Sequence, residues 1–355
     1  MTRLGDVCAI RYGKDHKKLS DGSVPTYGSG GIMRYVDTAI CEQPSVLIPR
    51  KGTLGNLFYT DEPFWTVDTL FWTDIDQTKI VPKYLYYQLK QKDLASYNVG
   101  TAVPSLTVEV LNEIDLDVPS IDKQRRIVEV LNSFDSKIAL NNQLNDYLEQ
   151  LVDGKFQELF GGLNFNATLS DVAEITMGQS PAGSSYNEEG AGIIFYQGRG
   201  EFGWRFPKRR LYTTEPKRLA CEGDVLMSVR APVGDLNVAF ENCCIGRGLA
   251  AIHSETPSFA LYLMRFLKPQ LEAYNGEGTV FGSINGKALK SLEVALPSHN
   301  EVMQFESFAA PIDALIRSNE NETRKLNNLR NYLLPKLMSG EIDVSKVDLT
   351  QLTNN

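Results

Sequence analysis

The 355-residue sequence contains no run of about 18 apolar side chains. Nor is Met1-Thr2-Arg3-Leu4-Gly5-Asp6 followed by the apolar core of a signal peptide. Neither a membrane span nor a secretory leader is expected, and the expected location is the cytoplasm. Cysteine is scarce: Cys8, Cys41, Cys221, Cys243 and Cys244 form no C-x-x-C pair, and their odd number fits reduced thiols better than a disulfide framework. Histidine is scarcer. His16, His253 and His299 do not lie near one another or near a cysteine at ligand spacing, so no metal site is expected. Positive charge is short as well: with 36 Lys and Arg against 44 Asp and Glu the formal charge is -8. Taken alone, that argues against a free nucleic-acid binder, because phosphate affinity comes from cations.

What is present is a soluble globular composition, 42% hydrophobic and 23% charged, at a length that suits two domains. The basic residues are unevenly placed. Residues 195–218 carry seven basic and two acidic side chains, and residues 1–60 carry eight and five. Two local basic surfaces on an acidic body are therefore expected to meet a polyanion at two places. Gly198, Gly200 and Gly203 spell G-x-G-x-x-G after the apolar run Ile193-Ile194-Phe195-Tyr196, the spacing of a dinucleotide-binding turn. The context opposes that reading, since Pro207 and Lys208-Arg209-Arg210 follow where a crossover helix should open. A nicotinamide-dependent oxidoreductase thus rests on three glycines alone, and the stretch reads better as a basic, aromatic loop.

Internal repetition settles the organisation. L-x-D-V-x-x-I-x-x-G occurs at 4–13 and at 169–178. Val46, Leu47, Lys51 and Gly55 line up with Val225, Leu226, Arg230 and Gly234, and a G-T-x-x-x-S segment occurs at 100–105 and 278–283. An offset of 178 then carries Pro119-Ser120 onto Pro297-Ser298. The chain reads as two copies of one unit: strand-rich domains at 1–120 and 165–297, each followed by a long helix, at 121–160 and 298–340, with a tail at 341–355. Short helices are expected near 82–92 and 258–267.

Ile127, Leu131, Phe134, Ile138, Asn141 and Leu148 follow a coiled-coil seam, as do Phe305, Ile312, Ile316, Asn319 and Leu326. Asn141 and Asn319 fall mid-seam, either as a buried polar pair that fixes register or where the seam widens to water. Ser298 and Glu301 form a capping box, and Pro311 predicts a kink or a late start. The expected fold class is α+β: two repeated strand-rich domains joined by two long antiparallel coiled-coil helices, with pseudo-two-fold symmetry. A helix of about 40 residues is about 60 Å long, so the domains would stand apart as a bipartite duplex DNA site requires.

In these residues the chain resembles the specificity (S) subunits of type I restriction-modification systems. The resemblance rests on the L-x-D-V-x-x-I starts, the Lys51 to Gly55 and Arg230 to Gly234 loops, the G-T-x-x-x-S segments and the proline-started helices. It departs in the second copy, where Val302 stands at the place that Gln124 holds after Pro119. The resemblance implies two target recognition domains, each reading half of an asymmetric bipartite DNA sequence. It also implies helices that space the halves and dock two methyltransferase (M) subunits, with restriction (R) subunits joining the complex. S-adenosylmethionine would belong to the M subunits and ATP with magnesium to the R subunits. This chain would itself bind no cofactor and no metal and would not be catalytic. Consistent with that, no N-P-P-F/Y tetrad and no phosphate loop occur, and Gly282 to Ala288 has the wrong spacing for one. The alternative is a stand-alone DNA-binding regulator, or a specificity protein serving an enzyme that is not type I.

Base readout needs Arg, Lys, Asn, Gln, Ser or Thr at groove edges, and phosphate contacts need cations or free amides. The candidates in the first copy are Ser29 to Arg34, Arg50, Lys51, Thr53, Asn56, Thr101 and Ser105. In the second they are Arg199, Trp204, Arg205, Arg209, Arg230, Arg247, Thr279, Ser283 and Asn285.

Overall fold

A computed structural model describes residues 2–101, 103–276 and 282–346. The chain forms two compact units, residues 1–140 with 322–355, and residues 141–321. The first is discontinuous in sequence and the second is one stretch, so each long helix contributes to both.

In the first unit four antiparallel strands lie in the order Cys8–Tyr12, Leu70–Ile75, Ser45–Pro49, Phe58–Thr60. Ser45–Pro49 is buried along its whole length, as an interior strand covered on both faces should be. A second sheet pairs Asp21–Gly28 with the antiparallel Gly31–Val36 and the parallel Trp65–Thr66. Helix Pro82–Lys90 opens on proline, at a position whose N–H would be unpaired anyway. Its Tyr84, Leu85 and Leu89 share one core with Ile127, Leu131 and Phe134 of helix Ile121–Phe160 and with Leu334 and Leu337 of helix His299–Ser339.

The second unit repeats the order with Glu174–Met177, Leu249–His253, Val225–Ser228 and Leu236–Val238, again antiparallel. Its other sheet has five strands instead of three but keeps a parallel pair, Ile193–Tyr196 with Cys243–Ile245. Helix Pro257–Phe266 buries Phe259 and Tyr262 with Phe156, Phe160 and Phe305. Phe156 and Phe305 meet edge to face at 5.3 Å, and truncating such a ring typically costs about 3–5 kcal/mol.

Both long helices form where the heptad pattern puts them, over 40 and 41 residues. Within each unit their segments run antiparallel. Asp135 pairs with Arg330 and Lys137 with Glu322 in the first, and Asn145 with Asn319 in the second. Ile127, Leu131, Phe134, Phe305 and Ile316 are buried, whereas Ile138, Leu148, Ile312 and Leu326 are half-buried. The capping box forms, with Glu301 N–H donating to Ser298 Oγ and Ser298 N–H to Glu301 Oε2. Pro311 does not delay the helix, which begins at His299 and runs through it. Asn141 and Asn319 are both buried, so the seam does not open to water there. The bonded pair is Asn319 with Asn145, one turn beyond Asn141, with Nδ2 donating to Oδ1 at 2.8 Å. Among the described residues no helix is long and apolar enough to cross a membrane.

Candidate nucleic-acid interface

Two repeated motifs that lie about 50 residues apart in sequence become neighbours in each unit. Lys51 makes an isolated antiparallel bridge with Ser105, and Arg230 makes the same bridge with Ser283. The flanking bonds match as well. Leu106 N–H donates to Arg50 O and Gly52 N–H to Pro104 O, each at 3.0 Å. Ile284 N–H donates to Val229 O and Ala231 N–H to Gly282 O, also at 3.0 Å. Lys51, Arg230 and Ser283 are exposed and Ser105 is half-buried.

Beside this bridge the second unit gathers Arg199, Arg230 and Arg247 with Ser180, Gln197 and Gly198 around a cleft of about 210 Å³. Three strand ends converge there. Gly246 N–H donates to Tyr196 O at 2.8 Å, Gly248 N–H to Gln197 O at 3.3 Å and Val229 N–H to Gly248 O at 3.0 Å. A Cβ on Gly246 would stand 2.9 Å from Gln197 Cα, and one on Gly248 2.9 Å from Gln197 O. Glycine is what lets this turn approach, and Arg247 between the two is exposed. Among the described residues no carboxylate pairs with Arg230 or Arg247, so their guanidinium forks are available for a base edge or phosphate oxygens. Arg199 pairs with Asp235 at 2.9 Å while remaining 49% exposed.

The first unit builds the same turn from Val67, Asp68 and Thr69. Val67 N–H donates to Tyr27 O at 3.0 Å and Arg50 N–H to Thr69 O at 2.9 Å. The exposed residue at its tip is therefore Asp68, not an arginine. Arg50 is half-buried over the Tyr12 ring at 5.2 Å, and its Nη1 donates to Asp68 O at 3.2 Å. Lys51, Thr53 and Thr101 are exposed. Asn56 Nδ2 donates to Ser29 O at 3.2 Å, tying two of the candidate loops together. Arg34 is committed internally, to the Asp21 carboxylate and to Leu19 O.

Arg205 cannot be a DNA reader. It is 5% exposed, and its guanidinium donates to Asp313 Oδ1 at 2.6 Å, Tyr262 Oη at 2.9 Å and Glu149 Oε1 at 3.1 Å. Burial opposes its charge, but Tyr262, Asp313 and Glu149 outweigh that and hold its pKa above the usual arginine value. Burial likewise pushes the Tyr262 phenol up. Both carboxylates come from the long helices, which a local reading of residues 198–210 could not show. Trp204 is 45% exposed, but it lines a different hollow, of about 700 Å³, with Asp153, Gln157, Arg265 and Lys268.

Arg209 pairs with Glu241, and Arg210 with Glu188 and Glu201. Arg199, Arg205, Arg209 and Arg210 of the basic stretch 195–218 are thus paired with carboxylates, and Arg199 is what the stretch gives to the cleft. Asn285 Oδ1 accepts Ala288 N–H at 2.9 Å and caps helix Gly286–Lys290, so that oxygen is committed to structure. Thr279 lies outside the described residues.

The dinucleotide reading fails on the same ground. Gly198 N–H donates to Glu201 Oε2 at 3.2 Å and Gly203 N–H to Asn237 Oδ1 at 3.0 Å, and only a single 3₁₀ turn, Arg199–Glu201, forms there. Amides that would cradle a pyrophosphate are occupied. The loop after Tyr27 folds back as a hairpin, whereas the one after Tyr196 does not. Ser180 and Gln197 went unnoticed in the sequence because short uncharged side chains in loops carry no signal beyond their place after a strand.

Gln124 has a positioning role. It is fully buried, with Oε1 accepting Val81 N–H at 2.8 Å and Nε2 donating to Pro119 O at 2.8 Å and Lys79 O at 3.3 Å. It thereby caps helix Pro82–Lys90. In the second unit Glu306, one turn beyond the buried Val302, accepts Ser258 N–H at 3.2 Å and Phe259 N–H at 2.8 Å at the start of Pro257–Phe266. The departure from the family pattern at Val302 is a relocated cap. Burial pushes the Glu306 carboxyl above the ordinary glutamate range.

Two copies of one scaffold, each presenting basic and hydroxyl side chains beside a bridged loop, define a recognition protein. The family described as Type I restriction modification DNA specificity domain matches residues 1–150 and 166–331. The chain is 34% identical over 298 residues to a protein named as the type I restriction enzyme MjaX specificity subunit of Methanocaldococcus jannaschii, covering 76% of this chain and 70% of that one. It is 23% identical over 348 residues to the MjaIX specificity subunit of the same organism, covering 85% and 78%. The S subunit of a type I restriction-modification system from M. genitalium shares the fold, with a TM-score of 0.63 over 95% of both chains at 16% identity. The chain belongs to the type I restriction-modification specificity subunits, the non-catalytic DNA-recognition components of those systems.

Proposed function

We propose that each strand-rich domain reads one half of a bipartite, asymmetric duplex DNA site, and that the long helices set the unread gap and dock two M subunits. R subunits join through that complex. S-adenosylmethionine is bound by the M subunits and ATP with magnesium by the R subunits, while double-stranded DNA is the direct ligand of this chain. The observation that carries the reading is the bridged loop, which recurs in both units with different side chains around it. Arg230 and Arg247 stand in one unit where Lys51 and Asp68 stand in the other. One scaffold with two sets of readers suits two unlike half-sites.

The docking role is supported by Leu144, Tyr147 and Leu151, three and four residues apart on the central helix and exposed by 39%, 59% and 54%. Large apolar side chains on one helix face, outside the intramolecular seam, suit a protein partner. Co-expression with M subunits and genome-wide mapping of methylated adenines should give a two-part motif with a fixed gap. Arg230→Ala or Arg247→Ala should then relax one half of that motif and leave the other intact. Absence of any bipartite motif would overturn the proposal, and tight, specific DNA binding without partners would point to a stand-alone regulator.

A further inference from the structure

Two side chains of one turn and a third from a neighbouring strand meet at one end of an antiparallel sheet of the second unit. Cys221, Asp224 and His253 bring Sγ, a carboxylate oxygen and a ring nitrogen within 4.8 Å of one another. We propose that they hold a divalent transition metal of the zinc or cobalt class as a structural clip. Spacing of Cys and His along the chain does not reveal this set, because an aspartate and a neighbouring strand complete it.

Residues 221–224 form a closed turn. Asp224 N–H donates to Cys221 O at 3.1 Å, Cys221 N–H donates to Asp224 Oδ2 at 2.8 Å, and Gly223 takes φ of +90°. Two donors three residues apart on such a turn have the spacing at which C-x-x-C pairs hold zinc. The third donor comes from the neighbouring strand, with His253 Nδ1 2.6 Å from Asp224 Oδ1. The Asp224 carboxylate is buried, while Cys221 and His253 face solvent, which gives a metal a path in.

Donor atoms around tetrahedral zinc stand roughly 3.3–3.8 Å apart, so small side-chain rotations close the set, and water completes it. Binding would release the thiol proton and the proton shared between Nδ1 and Oδ1. Glu174, opposite His253 on the adjoining strand, and Glu222 and Glu255 beside the ligands give the site a negative surround. A thiolate and an imidazole select a transition metal over magnesium or calcium.

The place of the cluster suggests its purpose. Asp224 immediately precedes strand Val225–Ser228, beyond whose other end lies Arg230. His253 ends strand Leu249–His253, which begins beside Arg247. A metal would thus clamp the far ends of the two strands whose near ends carry the arginine cleft. Glu222 of the same turn pairs with Arg317 of the C-terminal helix at 2.7 Å, so the clip would also fix the sheet to that helix. Among the described residues the first unit has no counterpart. Ser45 and Asp74 stand at the matching positions, and Ser45 Oγ donates to Thr73 O at 2.8 Å.

The test uses the full-length, tag-free chain, stripped with a chelator and titrated with cobalt(II). One equivalent should produce a thiolate-to-cobalt charge-transfer band with the visible bands of a four-coordinate ion, and zinc should bleach both. Cys221→Ser should abolish the charge-transfer band, and His253→Gln should weaken binding at least tenfold. Both variants should keep the circular dichroism of the metal-free parent, and Cys41→Ser should change nothing. No band, or a band that survives Cys221→Ser, overturns the proposal. Should Cys221→Ser not fold, alkylation of the Cys221 thiol in the parent chain is the second readout. Zinc should slow it at least tenfold, and unprotected alkylation overturns the proposal equally.

Discussion

At the turn that packs on the end of the parallel strand pair, the first unit displays Asp68 and the second Arg247, although both turns make the same backbone bonds. The same division recurs deeper in. Asp135 and Asp313 occupy equivalent places on the two long helices, 178 residues apart. Asp135 accepts from Tyr87 and Arg330, whereas Asp313 accepts from Arg205 and Tyr262. Helix Pro82–Lys90 is capped by the neutral Gln124, and helix Pro257–Phe266 by the acidic Glu306. Duplication has kept the hydrogen-bonded frame and the positions that need a polar partner, and has let the identity of the partner change. Where no frame contact depends on a side chain, even the sign of its charge differs.

The two units should differ most in their response to loss of Arg205. Arg205→Met takes the cation from the half-buried Asp313 and leaves Glu149 only Arg265, a loss of about 3 kcal/mol. Thermal unfolding followed in both units should show the transition of the second fall and that of the first stay. An unchanged melt would show that the network does not hold the second unit. Gln124→Ala removes three hydrogen bonds from the first unit and strands Val81 N–H and Pro119 O. The expected cost is about 1–3 kcal/mol, read as a lower denaturant midpoint for that unit alone.

Arg247→Ala should leave stability within about 0.5 kcal/mol while lowering affinity of the assembled complex for its half-site about 10–100-fold, as loss of a bidentate base contact does. If the contact is to phosphate, the slope of log K against log salt becomes shallower by about 0.9. Asp68→Ala at the matching position should act in the opposite direction, raising affinity a few-fold by removing a like charge from the phosphate backbone. Equal effects of the two substitutions, measured by fluorescence anisotropy, would contradict unlike reading surfaces.

The smallest effect is a pH dependence. The raised Glu306 carboxyl means that the folded chain holds a proton which the unfolded chain has already released. Unfolding free energy should therefore decline as pH rises from the ordinary glutamate range through the raised value, and level off above it. Glu306→Gln should flatten that decline, whereas Gln124→Glu should introduce one in the first unit.

The fold was legible where periodicity and repetition speak. The two long helices, the capping box at Ser298 and the short helices after Val81 and Thr256 follow from spacing, whereas the bridges of Lys51 to Ser105 and of Arg230 to Ser283 came only with the tertiary structure. The candidate site was legible only in part, because a sequence window counts charges without their partners. Arg205, Arg209 and Arg210 look like a basic patch until Asp313, Glu149 and Glu241 arrive from elsewhere in the chain and Glu201 of the same stretch pairs with Arg210. Arg230 was recognisable by its place in the repeated loop that runs to Gly234, and Arg247 by the glycines on either side of it. The Glu306 cap and the Cys221 cluster were not, since both depend on a strand or helix brought in by tertiary packing.

The discontinuity of the first unit has a consequence for synthesis on the ribosome. Its core contains Leu334, Leu337, Met338 and Val344, which emerge some 200 residues after Phe134, on which the same core is built. The second unit needs nothing beyond residue 321. During translation the later repeat can thus close its core first, while the earlier one waits with an exposed apolar face for the strand of chain that finishes it. A released chain truncated after residue 321 should protect the second unit from protease and leave the first unit open.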